Sequence, residues 1–176
     1  MYYLRKLSKN TTLNKIKSVA NIDDVDADVL KQEFPTTGNA LSFWGFDSLD
    51  HISDPITAAV LAGTEIKKTK FIITDDSLLE KYGLKTDSSE PGKTGYIGSE
   101  DSHVNICNLT YGKIGDVLRM IKEIAEIKDY TCEVERGELK ALIIKASEKG
   151  KINEKQMNEK LVNDIHKYML NEPRNI

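Results

Sequence analysis

The chain has few of the residues that mark a secreted, disulfide-bonded or membrane-spanning protein. Its two cysteines, Cys107 and Cys132, lie far apart and show neither a CxxC pair nor the Cys/His spacing of a zinc site. No window approaches about 18 consecutive apolar residues, and the first residues lack the apolar core of a signal peptide. The sequence therefore predicts reduced cysteines, no membrane span and a cytoplasmic location.

Arginine is also scarce, which bears on the kind of partner. Of the 25 Lys and Arg residues, the arginines are Arg5, Arg119, Arg136 and Arg174. The guanidinium group of arginine commonly recognises guanine or phosphate through two hydrogen bonds at once. The formal net charge of −3 gives no general attraction to nucleic acid or to an anionic membrane. These features disfavour a nucleic-acid partner.

What the chain does contain is the composition of an ordinary globular domain. It has 176 residues, of which 39% are hydrophobic and 30% charged. Strand and helix patterns alternate between residues 40 and 135, which predicts an α/β or α+β fold with a mixed sheet of about five strands flanked by helices. We interpret residues 1–136 as the core and residues 137–176 as a C-terminal helical hairpin packed on or beside it, within a single domain.

The local patterns place the elements. The predicted strands are 2–7, 41–46, 71–73, 103–109 and 130–135, and the acids of the last one indicate a sheet edge. The predicted helices are 14–20, 24–33, 55–62, 77–83, 112–127, 139–150 and one that begins at Asn153. Pro35 and Pro173 are expected to end two of these helices. The polar, glycine-containing segment 85–102 is predicted to be a long loop, functional or merely flexible.

The clearest candidate site follows the apolar run 71–73. Asp75 and Asp76 come directly after this run, at the carboxyl end of a predicted strand, where α/β folds usually bind ligands. Mg²⁺ or Mn²⁺ could bind these carboxylates, with Asp101 and His103 joining them if the two strands are neighbours. The competing interpretation is structural, because Asp76 or Ser77 would cap the following helix.

Two weaker candidates have a structural explanation as well. Residues 91–95 contain the Gly-Lys-Thr tail of a phosphate loop, but Asp87 stands where the first glycine is required. His103 could act as a general base, and His51 and His166 are alternatives. None of the three histidines is paired in sequence with a serine or cysteine nucleophile, so a structural role is favoured.

Two functions from different classes are consistent with these patterns. The first is a non-catalytic interaction or accessory subunit of a prokaryotic or phage system, which binds another protein or a second copy of itself and needs no cofactor. The second is a small metal-dependent phosphoester hydrolase or nuclease. In that alternative the catalytic residues would be Asp75, Asp76 and His103, and the ligands of Mg²⁺ or Mn²⁺ would be Asp75, Asp76 and Asp101.

Overall fold

The computed structural model describes residues 1–34, 36 and 38–171. Within them, six strands form one sheet in the order β4-β5-β2-β1-β3-β6, and every neighbouring pair is antiparallel. The strands are β1 (Tyr2–Lys6), β2 (Leu41–Phe46), β3 (Thr69–Asp75), β4 (Lys85–Asp87), β5 (His103–Cys107) and β6 (Thr131–Val134).

Seven α-helices accompany the sheet in the described part of the chain. They are α1 (Thr12–Ser18), α2 (Ala27–Glu33), α3 (Ser53–Leu61), α4 (Asp76–Lys81), α5 (Tyr111–Ile124), α6 (Arg136–Glu148) and α7 (Glu159–Asn171). Short 3₁₀ helices cover Ile22–Asp24, Leu49–His51, Glu100–Ser102 and Glu154–Gln156. Among the described residues, no helix combines the length and the apolar character needed to cross a membrane.

Helices cover both faces of the sheet, so the sheet has two cores. The first core packs α1, α2 and α5 against one face, and the second packs α3, α6 and α7 against the other. The central strand β3 shows why: Ile72 is fully buried in the first core, while Phe71 and Ile73 are fully buried in the second. The sequence of a strand that is buried on both faces is a continuous apolar run and does not alternate between apolar and polar residues.

The first core also contains a buried ion pair. The guanidinium of Arg5 lies 3.5 Å from the Glu33 carboxylate, whose side chain is fully buried. Arg5 also donates to the carbonyl oxygens of Glu33 and Ser42, and the Ser8 N–H donates to the Glu33 carboxylate at 2.8 Å. Burial raises the pKa of Glu33 above its usual value, against the lowering effect of Arg5.

The predicted fold class is confirmed, in its α+β form. The sheet is antiparallel throughout instead of mixed, because β1 lies between β2 and β3 and runs opposite to both. Strand 130–135 is confirmed as a sheet edge, since β6 ends the strand order. The structure has one strand more than predicted. This strand, β4, pairs with β5 and lies inside the segment 85–102 that was predicted to be a loop.

The C-terminal hairpin differs from its prediction at one boundary. Its second helix begins at Glu159, because Asn153 instead accepts a hydrogen bond from the Lys155 N–H and starts a 3₁₀ turn. The two helices of the hairpin contribute buried residues to the second core: Leu139, Ile143, Ala146, Leu161 and Ile165. Pro35 and Pro173, the predicted helix ends, lie outside the described residues.

Candidate functional site

A cleft lies at the end of the sheet where β1 and β5 begin and β2 ends. Its volume is about 850 Å³, within the usual range of ligand-binding pockets. One wall comes from the strand ends, another from the residues around the start of α3, and a third from the segment between β4 and β5. We call residues 88–102 the covering segment.

The covering segment is fixed to the rest of the protein at two places. The hydroxyl of Thr94 donates to the Ala58 carbonyl of α3 at 2.8 Å. Tyr96 forms an antiparallel bridge with Ile152, in the link between α6 and α7. Backbone hydrogen bonds flank that bridge, from Ile97 to Lys151 and from Asn153 to Gly95. The segment predicted to be a loop therefore forms a structured wall.

Two glycines allow the covering segment to pack closely. A Cβ atom on Gly92 would lie 2.5 Å from the Trp44 ring and 2.7 Å from the Cβ of His103. A Cβ atom on Gly95 would lie 2.1 Å from the Cγ of Met157. Thr94, between them, is fully buried. The Gly-Lys-Thr fragment thus holds the covering segment against its neighbours, and its glycines meet side chains where a phosphate loop would meet phosphate.

Carboxylates dominate the charge of the cleft. Asp47, Asp54 and Asp101 line it, together with the ammonium groups of Lys151 and of the Met1 terminus. The hydroxyl of Tyr96 donates to Asp54 at 2.7 Å, and burial together with that carboxylate raises the pKa of Tyr96. With histidine neutral, the lining residues have a formal excess of one negative charge, and Asp76, which lies 3.0 Å from the Met1 ammonium, brings the excess to two.

A histidine lies at the edge of the same cleft. The Nδ1 atom of His51 is 2.8 Å from an Asp47 carboxylate oxygen, and both side chains are mostly exposed. Their hydrogen bond raises the pKa of His51 and lowers that of Asp47. Protonation of His51 would reduce the negative charge of this rim.

Aromatic side chains line the cleft together with the carboxylates. Tyr3, Trp44, Phe46 and Tyr96 line the cleft while the bulk of each ring is buried. Exposed apolar groups also border the cleft, since Ile97 is 45% exposed and Met1 61%. Aromatic faces and carboxylates together form an environment that attracts organic cations.

The predicted site residue Asp75 acts as a helix cap. Its Oδ1 atom accepts from the Leu78 N–H at 2.9 Å and from the Ser77 hydroxyl at 2.6 Å, and its Oδ2 atom accepts from the Tyr130 hydroxyl. Burial acts to raise the pKa of Asp75, but these hydrogen bonds outweigh it and hold the pKa below its usual value.

Asp76 is also engaged by the protein itself. One of its oxygens accepts from the Tyr3 hydroxyl at 2.7 Å, and the other lies 3.0 Å from the terminal ammonium of Met1. These hydrogen bonds lower the pKa of Asp76. Burial, together with Asp76, raises the pKa of Tyr3 to about 12.

The remaining predicted residues lie at the same end of the sheet but on another strand. Asp101 lines the cleft, and the Nδ1 atom of His103 is 3.0 Å from the Glu90 carbonyl oxygen. Two strands separate β3 from β5, so Asp75 and His103 are about 14 Å apart across the sheet. Among the described residues, no three His, Cys, Asp or Glu side chains form a group able to hold a metal ion. The proposed metal site stays a prediction, and the strand order does not bring its two halves together.

Sequence reasoning missed most of the cleft. Neither Asp47 nor Asp54 belongs to a sequence motif that indicates binding. The spacing of Asp47 and His51 was a usable signal. Residues four apart lie on the same side of a helical turn, which places these two side chains close to each other. Tyr96 gave no signal, because its place beside Asp54 depends on how the covering segment folds.

The fold and cleft define an α+β protein with an antiparallel sheet covered on both faces and an acidic, aromatic cleft at one sheet end. Comparison with protein-family models, with curated proteins and with solved structures finds no match to this chain.

Proposed function

We propose that this chain is a non-catalytic binding protein whose cleft receives a lysine- or arginine-bearing segment of a protein partner. The observation that carries the proposal is the excess of carboxylates, beside aromatic rings, in a cleft of about 850 Å³. In this role the chain serves as an accessory subunit of a prokaryotic or phage assembly, and binding requires no cofactor.

The chemistry of a basic side chain fits both parts of the cleft. Its charged end can pair with Asp54 or Asp101, while its alkyl stem packs on the rings of Trp44 and Tyr96. Opposite charges at such a surface mainly favour fast encounter and the correct partner. The exposed Ile97 side chain offers apolar contact to the rest of the bound segment.

The contacts of the histidines support binding over covalent catalysis. His51 contacts Asp47, His103 contacts the Glu90 carbonyl, and His166 contacts Glu154. In the described part of the chain, no histidine is hydrogen-bonded to a serine hydroxyl or a cysteine thiol. A nucleophile that is activated by histidine typically lies within hydrogen-bonding reach of it.

Peptide binding tests the proposal. A fluorescent Lys/Arg-rich peptide and a Glu-rich peptide of equal length are titrated with the protein by fluorescence polarisation, at low and high salt. We expect only the basic peptide to bind, with lower affinity at high salt. Equal binding of the two peptides, or no binding of either, would contradict the proposal.

Substitutions in the cleft locate the binding site. Asp54→Asn and Asp101→Asn should each weaken binding of the basic peptide several-fold, by about 1 kcal/mol. Asp28→Asn on α2 removes the same charge away from the cleft and serves as the matched control. If Asp28→Asn weakens binding as much as the cleft variants do, the attraction is not located in the cleft.

A further inference from the structure

We propose that two copies of this chain associate through α5, with the helices antiparallel and crossing at Gly115 on a two-fold axis. This surface shares no residue with the lining of the cleft, so the inference is independent of the proposed function. It rests on an exposed aromatic side chain, an adjoining apolar groove and a pair of complementary side chains on one helix.

The exposed aromatic side chain is that of Tyr111, the first residue of α5. It is 91% exposed and makes no hydrogen bond or ring contact with any described residue. By comparison, Tyr3 and Tyr96 are at least nine-tenths buried. A large aromatic side chain without an internal contact is a typical anchor of a protein interface.

A shallow groove of about 140 Å³ lies beside Tyr111. Its apolar walls come from Ile22, Val25 and Leu30 on one side and from Ile114 and Leu118 of α5 on the other. When two copies are related by a two-fold axis, the projecting side chain of each copy can enter the groove on the same face of the other. A second copy of this chain therefore fits the surface.

Two glycines in the first half of α5 have no packing role inside the chain. A Cβ atom on Gly112 would meet nothing within 4 Å, and one on Gly115 would meet only the flexible Arg119 guanidinium, at 3.6 Å or more. Glycine destabilises a helix relative to alanine. At Gly112 the helix backbone is open, and at Gly115 only the flexible Arg119 side chain has to move for another helix to approach closely.

The position of the axis follows from the spacing of Tyr111 and Arg119. Tyr111 lies four residues before Gly115 and Arg119 four residues after it, about 6 Å along the helix in each direction. An antiparallel crossing at Gly115 therefore places each Tyr111 opposite the second copy's Arg119. Arg119 donates one hydrogen bond to Asp116 at 3.0 Å and is about half exposed, so its flexible guanidinium can turn to stack on the ring.

A charge exchange tests this pairing by sedimentation equilibrium over a wide range of protein concentration. Tyr111→Lys places two cations opposite each other and should weaken dimerisation by about tenfold or more. Adding Arg119→Glu to Tyr111→Lys should restore the dimer, because opposite charges then face each other. A wild-type protein that stays monomeric up to millimolar concentration, or a double variant no tighter than Tyr111→Lys, would overturn the proposal.

Cross-linking tests the position of the axis independently. In a Cys107→Ser, Cys132→Ser background, Gly115→Cys should form a disulfide-linked dimer on mild oxidation, because position 115 faces itself across the axis. Gly112→Cys is the matched control, since its two copies would be separated by about 9 Å along the helices, beyond the reach of a disulfide. Equal cross-linking of the two variants, or none of Gly115→Cys, would contradict the crossing at Gly115.

Discussion

The hydroxyl of Thr94 donates a hydrogen bond to the carbonyl oxygen of Ala58 at 2.8 Å, and both residues are fully buried. The same hydroxyl oxygen accepts from the Tyr96 N–H at 3.3 Å. One side chain therefore joins the covering segment to α3 and also orders the backbone of the residue that contacts Asp54. The shape of the cleft depends on this side chain.

Replacing Thr94 by valine should destabilise the protein by about 1 to 2 kcal/mol, because the Tyr96 N–H loses its buried acceptor while the volume of the side chain is kept. Urea unfolding measures the difference in the free energy of unfolding. Thr86→Val, at an exposed position of β4, is the control and should cost much less. Equal effects of the two substitutions would mean that the Thr94 hydrogen bonds contribute nothing beyond a general effect of valine.

Substituting alanine for two glycines should have opposite effects on stability. Gly92→Ala introduces a Cβ atom 2.5 Å from Trp44, so we expect a loss of about 1 to 3 kcal/mol and a change in tryptophan emission, which Trp44 alone produces. Gly137→Ala, in α6, meets nothing within 4 Å and should stabilise the helix by about 0.5 to 1 kcal/mol. Thermal unfolding and fluorescence spectra measure both effects. Two results would contradict the packing described: a loss of stability in Gly137→Ala, or unchanged stability and tryptophan emission in Gly92→Ala.

The buried pair Arg5 and Glu33 should show strong coupling. Arg5→Met alone leaves the Glu33 carboxylate buried without its cation, at a cost of about 3 to 5 kcal/mol near neutral pH. Adding Glu33→Leu should recover much of that loss, because an apolar pair has no charge to desolvate. A double-mutant cycle by urea unfolding gives the coupling energy. Additive losses would show that the two side chains do not act as a pair.

The helix cap at Asp75 should make stability depend on pH. Because the pKa of Asp75 is lower in the folded protein than its ordinary value of 3.8, the carboxylate stabilises the fold above that pH, and the contribution is lost as the pH falls through the folded pKa. Asp75→Ala should therefore cost about 1 kcal/mol near neutral pH and progressively less below about pH 4. Asp75→Asn, which can still cap the helix, is the control and should cost less near neutral pH. A cost of Asp75→Ala that is unchanged at low pH would refute this account.

The same variants test the phosphoester-hydrolase alternative. Binding of Mg²⁺ or Mn²⁺ to the purified protein is measured by isothermal titration calorimetry, with Asp75→Asn and Asp76→Asn as variants. Metal binding that disappears in both variants would support the alternative. Binding that survives both substitutions would exclude these carboxylates as ligands. We expect no metal binding that depends on them, because Asp75 and Asp76 already accept hydrogen bonds from Tyr130 and Tyr3.

Much of the fold could be predicted because its signals are local. The spacing of Ile114, Val117, Leu118 and Ile121 predicted α5, and the structure confirms the helix. The apolar run around Ile72 predicted a strand, which burial on both faces explains. In contrast, β4 carries three exposed residues without apolar alternation, and only its pairing with β5 makes it a strand.

The cleft could not be predicted, because its walls come together only in three dimensions. Asp54 and Tyr96 are separated by 42 residues, and their hydrogen bond depends on how the covering segment packs against α3. Asp75 drew attention because carboxylates at strand ends often bind ligands, yet its oxygens cap a helix and accept from Tyr130. Of the residues that the sequence patterns singled out, Asp101 lines the cleft, whereas Asp75 lies on β3, which contributes no residue to the lining.

The central place of β1 has a consequence for any shortened form of the protein. Among the strands that the structure describes, β1 alone connects β4-β5-β2 with β3-β6 by hydrogen-bonded pairing. Terminal residues are commonly trimmed because they tend to be dispensable. Here, removing the first six residues would divide the sheet into two groups of strands, each with a newly exposed edge open to aggregation. We therefore expect a variant that lacks β1 not to assemble this sheet.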